Sequence, residues 1–351
     1  MTTSAPQVPG DIGRLAAGRR NRAVLIMVGL AVVTVVGALA ATMLGHYALS
    51  PAEILDVLVS PGANPTGAQI FYEVRLVRIA GAVMIGIGLA LAGSAFQAVF
   101  RNPMVSPDVL GASGGAGVGA SLALLLGLGS AAVQVLSFAG GILAVALALF
   151  VERVVSRRGG SLLTLILTGM VVASLCSAII SLIKYLGDPT DKLPQITFWL
   201  LGGLSTIRPA DLLLLGGALL VGGVPLLFLR WRLTVLSFGD EEAEALGIDT
   251  RTVRLVAIVA ATLLTAVAVS VAGIVGWVGL IVPHLARILV GSDNRVAMPV
   301  AALAGGLFLL AVDTVARAGT GIEIPLGVLT ALVGAPVFLY LLALGRRRGW
   351  I

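Results

Sequence analysis

Residues 109–129 read VLGASGGAGVGASLALLLGLG, and a glycine-rich run that opens an apolar stretch has two physical readings. A phosphate cradle needs a lysine followed by Ser or Thr after its last glycine, because the loop amides hold the phosphate while the lysine neutralises it. Here Gly119 is followed by Ala120, Ser121 and Leu122, and GxxxxGK[ST] occurs nowhere in the chain. The other reading is a membrane helix. Ser106 is placed to cap it, with Pro107 at its first position. Gly111, Gly115 and Gly119 then recur every fourth residue on one face, which lets a second helix approach closely.

The rest of the chain supports the second reading. It has 351 residues, 58% of them hydrophobic and 11% charged, with a mean hydropathy of +1.06. That is too apolar for a water-facing surface. About ten stretches approach the roughly 20 residues needed to cross the hydrocarbon: 23–44, 79–99, 109–127, 131–151, 162–184, 212–229, 253–274, 276–291, 296–316 and 324–344. They are continuously apolar rather than alternating, so an all-α polytopic membrane protein is expected and not a barrel. The first stretch follows Arg19, Arg20 and Arg22, but its apolar region is too long for the core of a cleaved signal and reads as an anchor.

Splitting ten spans after the fifth gives two five-helix halves of opposite orientation, the plan of many transporters. With the N-terminus inside, 17 of the 23 Lys and Arg fall on the cytoplasmic side, as the positive-inside rule requires. The net charge of +6 thus records orientation and does not suggest nucleic acid. Residues 1–22 read as a disordered cytoplasmic tail, 23–345 as the membrane domain and 346–351 as a basic cytoplasmic end.

Catalytic and metal sites find no support. His46 and His284 are far apart and lack metal-site spacing, and Cys176 is the one cysteine, so packing is its expected role. Most charges stand at span ends, which disfavours an ion-coupled carrier. Asp313 and Arg317, i and i+4 on the ninth span, are placed to pair. The strongest break in apolarity is 236–249, LSFGDEEAEALGID. A short helix from Asp240, with acids in its first turn and Gly247 as its stop, fits. Such a segment is either a solvated spacer or a handle for a cytoplasmic partner.

Three further stretches, 75–120, 273–295 (GIVGWVGLIVPHLARILVGSDNR) and 323–342 (EIPLGVLTALVGAPVFLYLL), resemble the FecCD-type permeases of ABC importers for ferric siderophores, haem and cobalamin. The resemblance runs from the first span to the C-terminus. It implies ten helices per subunit, a second permease subunit, two cytoplasmic ATPase subunits that bind the ATP, and an extracytoplasmic binding protein. No cofactor is expected on this chain itself. By the resemblance, 236–249 is the segment that seats in the ATPase, with Asp240, Glu241, Glu244, Ala245 and Gly247 as its contacts. Arg75, Arg78 and Arg317 match the cations that receive the binding protein; the alternatives are snorkelling at a span end for Arg75 and Arg78 and pairing with Asp313 for Arg317. Ser161, Leu162 and Leu163 match the cytoplasmic gate. The resemblance favours a ferric siderophore as cargo, with haem or cobalamin as the alternative.

Overall fold

The computed structural model describes residues 10–45, 50–60, 64–156, 162–318 and 323–347. In chain order, α1 (Gly10–Met43) and the short α2 (Pro51–Val59) precede a continuous helix made of α3 (Pro65–Gln69), a π segment (Ile70–Arg75) and α4 (Leu76–Val99). A 3₁₀ turn (Pro107–Leu110) leads into α5 (Ala112–Leu125), followed by α6 (Ser130–Val155), α7 (Leu162–Leu186) and the short α8 (Lys192–Leu201). Next, α9 (Pro209–Ala218) runs through a second π segment (Leu219–Gly223) into α10 (Val224–Leu236). The chain continues with α11 (Asp240–Ala245), α12 (Thr250–Ala272), α13 (Val278–Val290), α14 (Asn294–Ala318) and α15 (Leu326–Arg347).

Each of the ten apolar stretches is a helix, with no strand among the described residues. Eight of them are long and apolar enough to cross a membrane. The other two, α5 and α13, are apolar but only 14 and 13 residues long. They occupy the third place in each half, and both begin on a residue in the left-handed region, Gly111 (φ 84°) and Trp277 (φ 69°). The packing repeats in the same sense. In each half the second long helix lies at the centre: the most apolar window of Pro65–Val99 is 78% buried and that of α12 72%, against 6% for α1. Across the halves α4 packs against α14 while α12 packs against α6, as two inverted units would.

Small residues allow that packing. Gly115 and Gly119 face α6 so closely that a Cβ would stand 2.3 Å from the Gly140 carbonyl oxygen and 1.9 Å from that of Leu136. These two are helix-packing glycines, as their spacing predicts. Gly111 is not one. Ser106 makes no side-chain cap, the Pro107–Leu110 turn closes with the Gly111 N–H donating to Asp108 O at 2.8 Å, and α5 starts only afterwards. Gly111 is required there because its φ of 84° is strained for any residue with a Cβ.

Part of the stretch expected to be an unstructured tail is helical. The helix α1 begins at Gly10, since Leu15, Ala16, Ala17 and the arginines of this stretch are good helix formers. Residues 1–9 and 348–351 lie outside the described residues.

Candidate functional site

The two ends of α4 carry the principal charged clusters. Beyond its C-terminal end lies α11, formed as its composition predicts. Asp240, Glu241 and Glu242 fill its first turn, where the helix dipole favours acids. It ends in a Schellman motif: Gly247 N–H donates to Glu244 O at 2.9 Å and Ile248 N–H to Ala243 O at 3.0 Å, with Gly247 at φ 74°. Ala243 (0% exposed) and Ile248 (6%) anchor the motif in the main hydrophobic core with Leu233, Leu236 and Val253. The opposite face is open. Glu241, Glu242, Glu244, Ala245 and Gly247 are exposed, and Phe238 and Leu246 stand out as exposed apolar side chains, 73% and 62%. An acidic helix flanked by two protruding apolar groups fits a shaped, basic-rimmed cleft on a partner.

Asp240 departs from that pattern. Its carboxylate accepts from Arg101 Nη2 at 3.1 Å and from the Arg254 guanidinium, so it is bonded to the permease itself while its side chain stays 38% exposed. Nearby, Asp249 caps α12 by accepting from the Thr252 N–H and hydroxyl. Those donors, the hydroxyl foremost, hold its carboxyl below the usual range. The Thr234 hydroxyl donates to Asp293 Oδ1 at 3.2 Å, tying α10 to the α13–α14 turn at the same end.

At the α2 end of the bundle, Arg75, Arg78 and Arg317 are brought together and buried. Their exposures are 4%, 7% and 7%. Arg75 donates to Thr42 O, and Arg317 donates to Leu44 O at 2.8 Å and Ala41 O at 2.6 Å. Two guanidiniums therefore cover carbonyls at the C-terminus of α1 that helix geometry leaves without partners. Arg78 Nε donates to Asp313 Oδ1 at 2.8 Å, and its guanidinium also bonds Glu323. The i, i+4 pair of Asp313 and Arg317 forms at 3.6 Å, longer than the bond from Arg78. Each guanidinium matched by resemblance to binding-protein docking is thus also bonded within the chain itself. Glu323, 245 residues from Arg78, gave no sign of this in the sequence.

Of the expected gate residues, Ser161 lies outside the described residues. Leu162 begins α7 and packs against the core, whereas Leu163 is exposed at 65%. Farther along α7, Ser174, Ser177, Ala178 and Ser181 form an exposed stripe at helical spacing. A serine stripe suits a wet or protein-covered surface better than lipid tails. The spacing is visible in the sequence, yet only burial shows which face is uncovered. No group of three or more His, Cys, Asp or Glu that could hold a metal occurs among the described residues.

A bundle of two inverted five-helix units, strand-free among the described residues, with a structured acidic segment at one end, defines a polytopic membrane permease. Comparison narrows the class. The sequence model of the FecCD transport family matches residues 17–343, and the chain belongs to that family of ABC importer permeases. The molybdate import system permease protein MolB of Haemophilus influenzae is 38% identical over 317 residues, covering 89% of this chain and 94% of that protein. A probable iron chelatin transport system permease of Helicobacter pylori is 38% identical over 78% of this chain and 82% of its own length. Among solved structures, a metal-chelate type ABC transporter in an inward-facing conformation superposes with a TM-score of 0.82 at 38% identity, covering 91% of this chain and 98% of that one.

Proposed function

We propose that this chain is one of two permease subunits of an ATP-driven importer in a bacterial cytoplasmic membrane, with both termini inside, that delivers a metal chelate, a ferric siderophore, to the cytoplasm. One observation carries the reading: the exposed face of α11, acidic and apolar together, is built on buried anchors. An exposed surface so firmly held is suited to receive force from a docked partner. The absence of GxxxxGK[ST] from the sequence assigns ATP binding to that partner, a cytoplasmic ATPase. Closure of the ATPase dimer would move α11 and re-orient the helices around the path, with the α7 serine stripe facing it.

At the far end an extracytoplasmic binding protein delivers the cargo. Arg75, Arg78 and Arg317 support that docking by fixing the α1 end and the segment before α15, rather than by offering bare donors. The relatives carry names for iron chelate and for molybdate, so cargo is the finest part of the reading. The test is uptake into proteoliposomes holding this chain with its co-encoded ATPase and binding protein, offered a ferric siderophore, haem, cobalamin and molybdate in turn. ATP-dependent accumulation of the siderophore is expected. Accumulation of molybdate alone would replace the cargo, and uptake driven by an ion gradient without ATP would overturn the mechanism.

A further inference from the structure

The surface of α11 is exposed, and its first residue in addition reaches back into the permease. Asp240 holds two guanidiniums at once: Arg101, two residues beyond the end of α4, and Arg254, in the second turn of α12. The helices α4 and α12 are the central members of the two halves. One carboxylate thus joins the segment expected to receive force to the middle of both inverted units. We propose that Asp240 is a positioning residue, a clasp through which movement of α11 reaches α4 and α12 together.

Three observations carry this beyond an ordinary surface pair, which on its own contributes little. Among the described residues, Arg101 is one of two non-glycine residues with positive φ, at 50°. That is a strained conformation, held where its side chain meets Asp240. The Arg254 side chain is 17% exposed and its Nε is buried without a partner, so Asp240 supplies the counter-charge to a guanidinium that water reaches poorly. Gln97, one turn before Arg101 on α4, donates to Leu280 O at 3.0 Å and accepts from Arg287 on α13. A shift of this end of α4 is therefore handed on to α13, the short helix of the second half.

The inference rests on the proposed ATPase partnership, and its test separates the two. The wild-type chain is purified with its co-encoded ATPase and binding protein in proteoliposomes, and three quantities are measured: co-purification of the ATPase, ATP hydrolysis, and cargo delivered per ATP hydrolysed. Failure of the wild type to hold the ATPase would remove the functional reading itself. Given a wild-type complex, Asp240→Asn is expected to retain the ATPase while cargo per ATP falls about tenfold, within the usual range of coupling energies. Asp240→Glu restores part of it. Arg101→Gln is the second variant, since that pair is partly exposed (35% and 38%) and its loss leaves the fold intact should Asp240→Asn express poorly. It should lower the same ratio, and combining it with Asp240→Asn should add little further loss. An unchanged cargo-to-ATP ratio in either single variant overturns the clasp. Loss of ATPase co-purification in Asp240→Asn does so as well, because Asp240 would then be a contact of the partner.

Discussion

The two ends of α4 handle charge in opposite ways. At the α2 end, Arg75, Arg78, Arg317 and Asp313 are all nearly inaccessible and spend their donors and acceptors on one another and on the backbone of α1. At the α11 end Asp240, Asp249 and Asp293 are bonded within the chain, while Glu241, Glu242 and Glu244 remain exposed, Glu244 also accepting from the Thr250 hydroxyl. Buried charges left unpaired are costly, so the first cluster behaves as a fixed joint; exposed ones cost little and remain available to a partner. A cationic cluster seen in sequence is therefore not a docking surface by virtue of its charge, and an acidic loop is not a passive spacer by virtue of its polarity.

Substitutions test that contrast most sharply where burial is deepest. Asp313→Ala removes a wholly buried carboxylate and with it a counter-charge to Arg78 and Arg317, leaving Arg78 with Glu323 and Arg317 with the α1 carbonyls. A loss of about 3–5 kcal/mol is expected, read as a large drop in the thermal midpoint of the purified permease; a drop no greater than that of a surface substitution would show that the α2 end is not a fixed joint. Gly119→Leu sits between the two ends and touches neither charge set. Overpacking against the Leu136 carbonyl should cost about 1–3 kcal/mol or more, separating damage to the scaffold from damage to the clusters. Gly247→Ala forces a Cβ into the left-handed region at the end of α11, at about 1 kcal/mol. Hydrogen exchange confined to 240–249 should report it, with the α2 end unaffected. The smallest stability effect belongs to the pair Glu241→Gln and Glu242→Gln, within about 0.5 kcal/mol, yet these should weaken ATPase capture. Unaltered capture would remove the open acids from the coupling surface.

Much of the fold was legible because membrane helices announce themselves by unbroken apolarity, and each of the ten stretches is a helix. The acidic helix and its glycine stop were legible for a local reason, since capping and dipole preferences act within one turn. What escaped the sequence was long-range or geometric. A proline one residue after a serine reads as a helix start, but here it opens a 3₁₀ turn, and Gly111 is a conformational hinge between turn and helix. The stretch from Gly10 to Arg22 looked disordered because its glycines and charges hide a helical composition. The arginines at span ends look alike whether they snorkel, dock or pair inside; only the approach of Asp313 and Glu323 to Arg78 distinguishes the cases. Phe238 and Leu246 were legible in principle, since two large apolar groups framing DEEAEA have little reason to be in a solvated spacer.

The brevity of α5 and α13 changes what a transported molecule meets. At 1.5 Å per residue they rise about 20 Å, against roughly 30 Å of hydrocarbon. The remainder of the depth is irregular backbone, the Pro107–Leu110 turn and residues 273–277, which tolerates lipid poorly and must be sheltered by protein or water. Since the two halves are inverted, one shortfall opens toward each face. The helical spanning of the slab is thus interrupted near each side within a single subunit, once before α5 and once before α13.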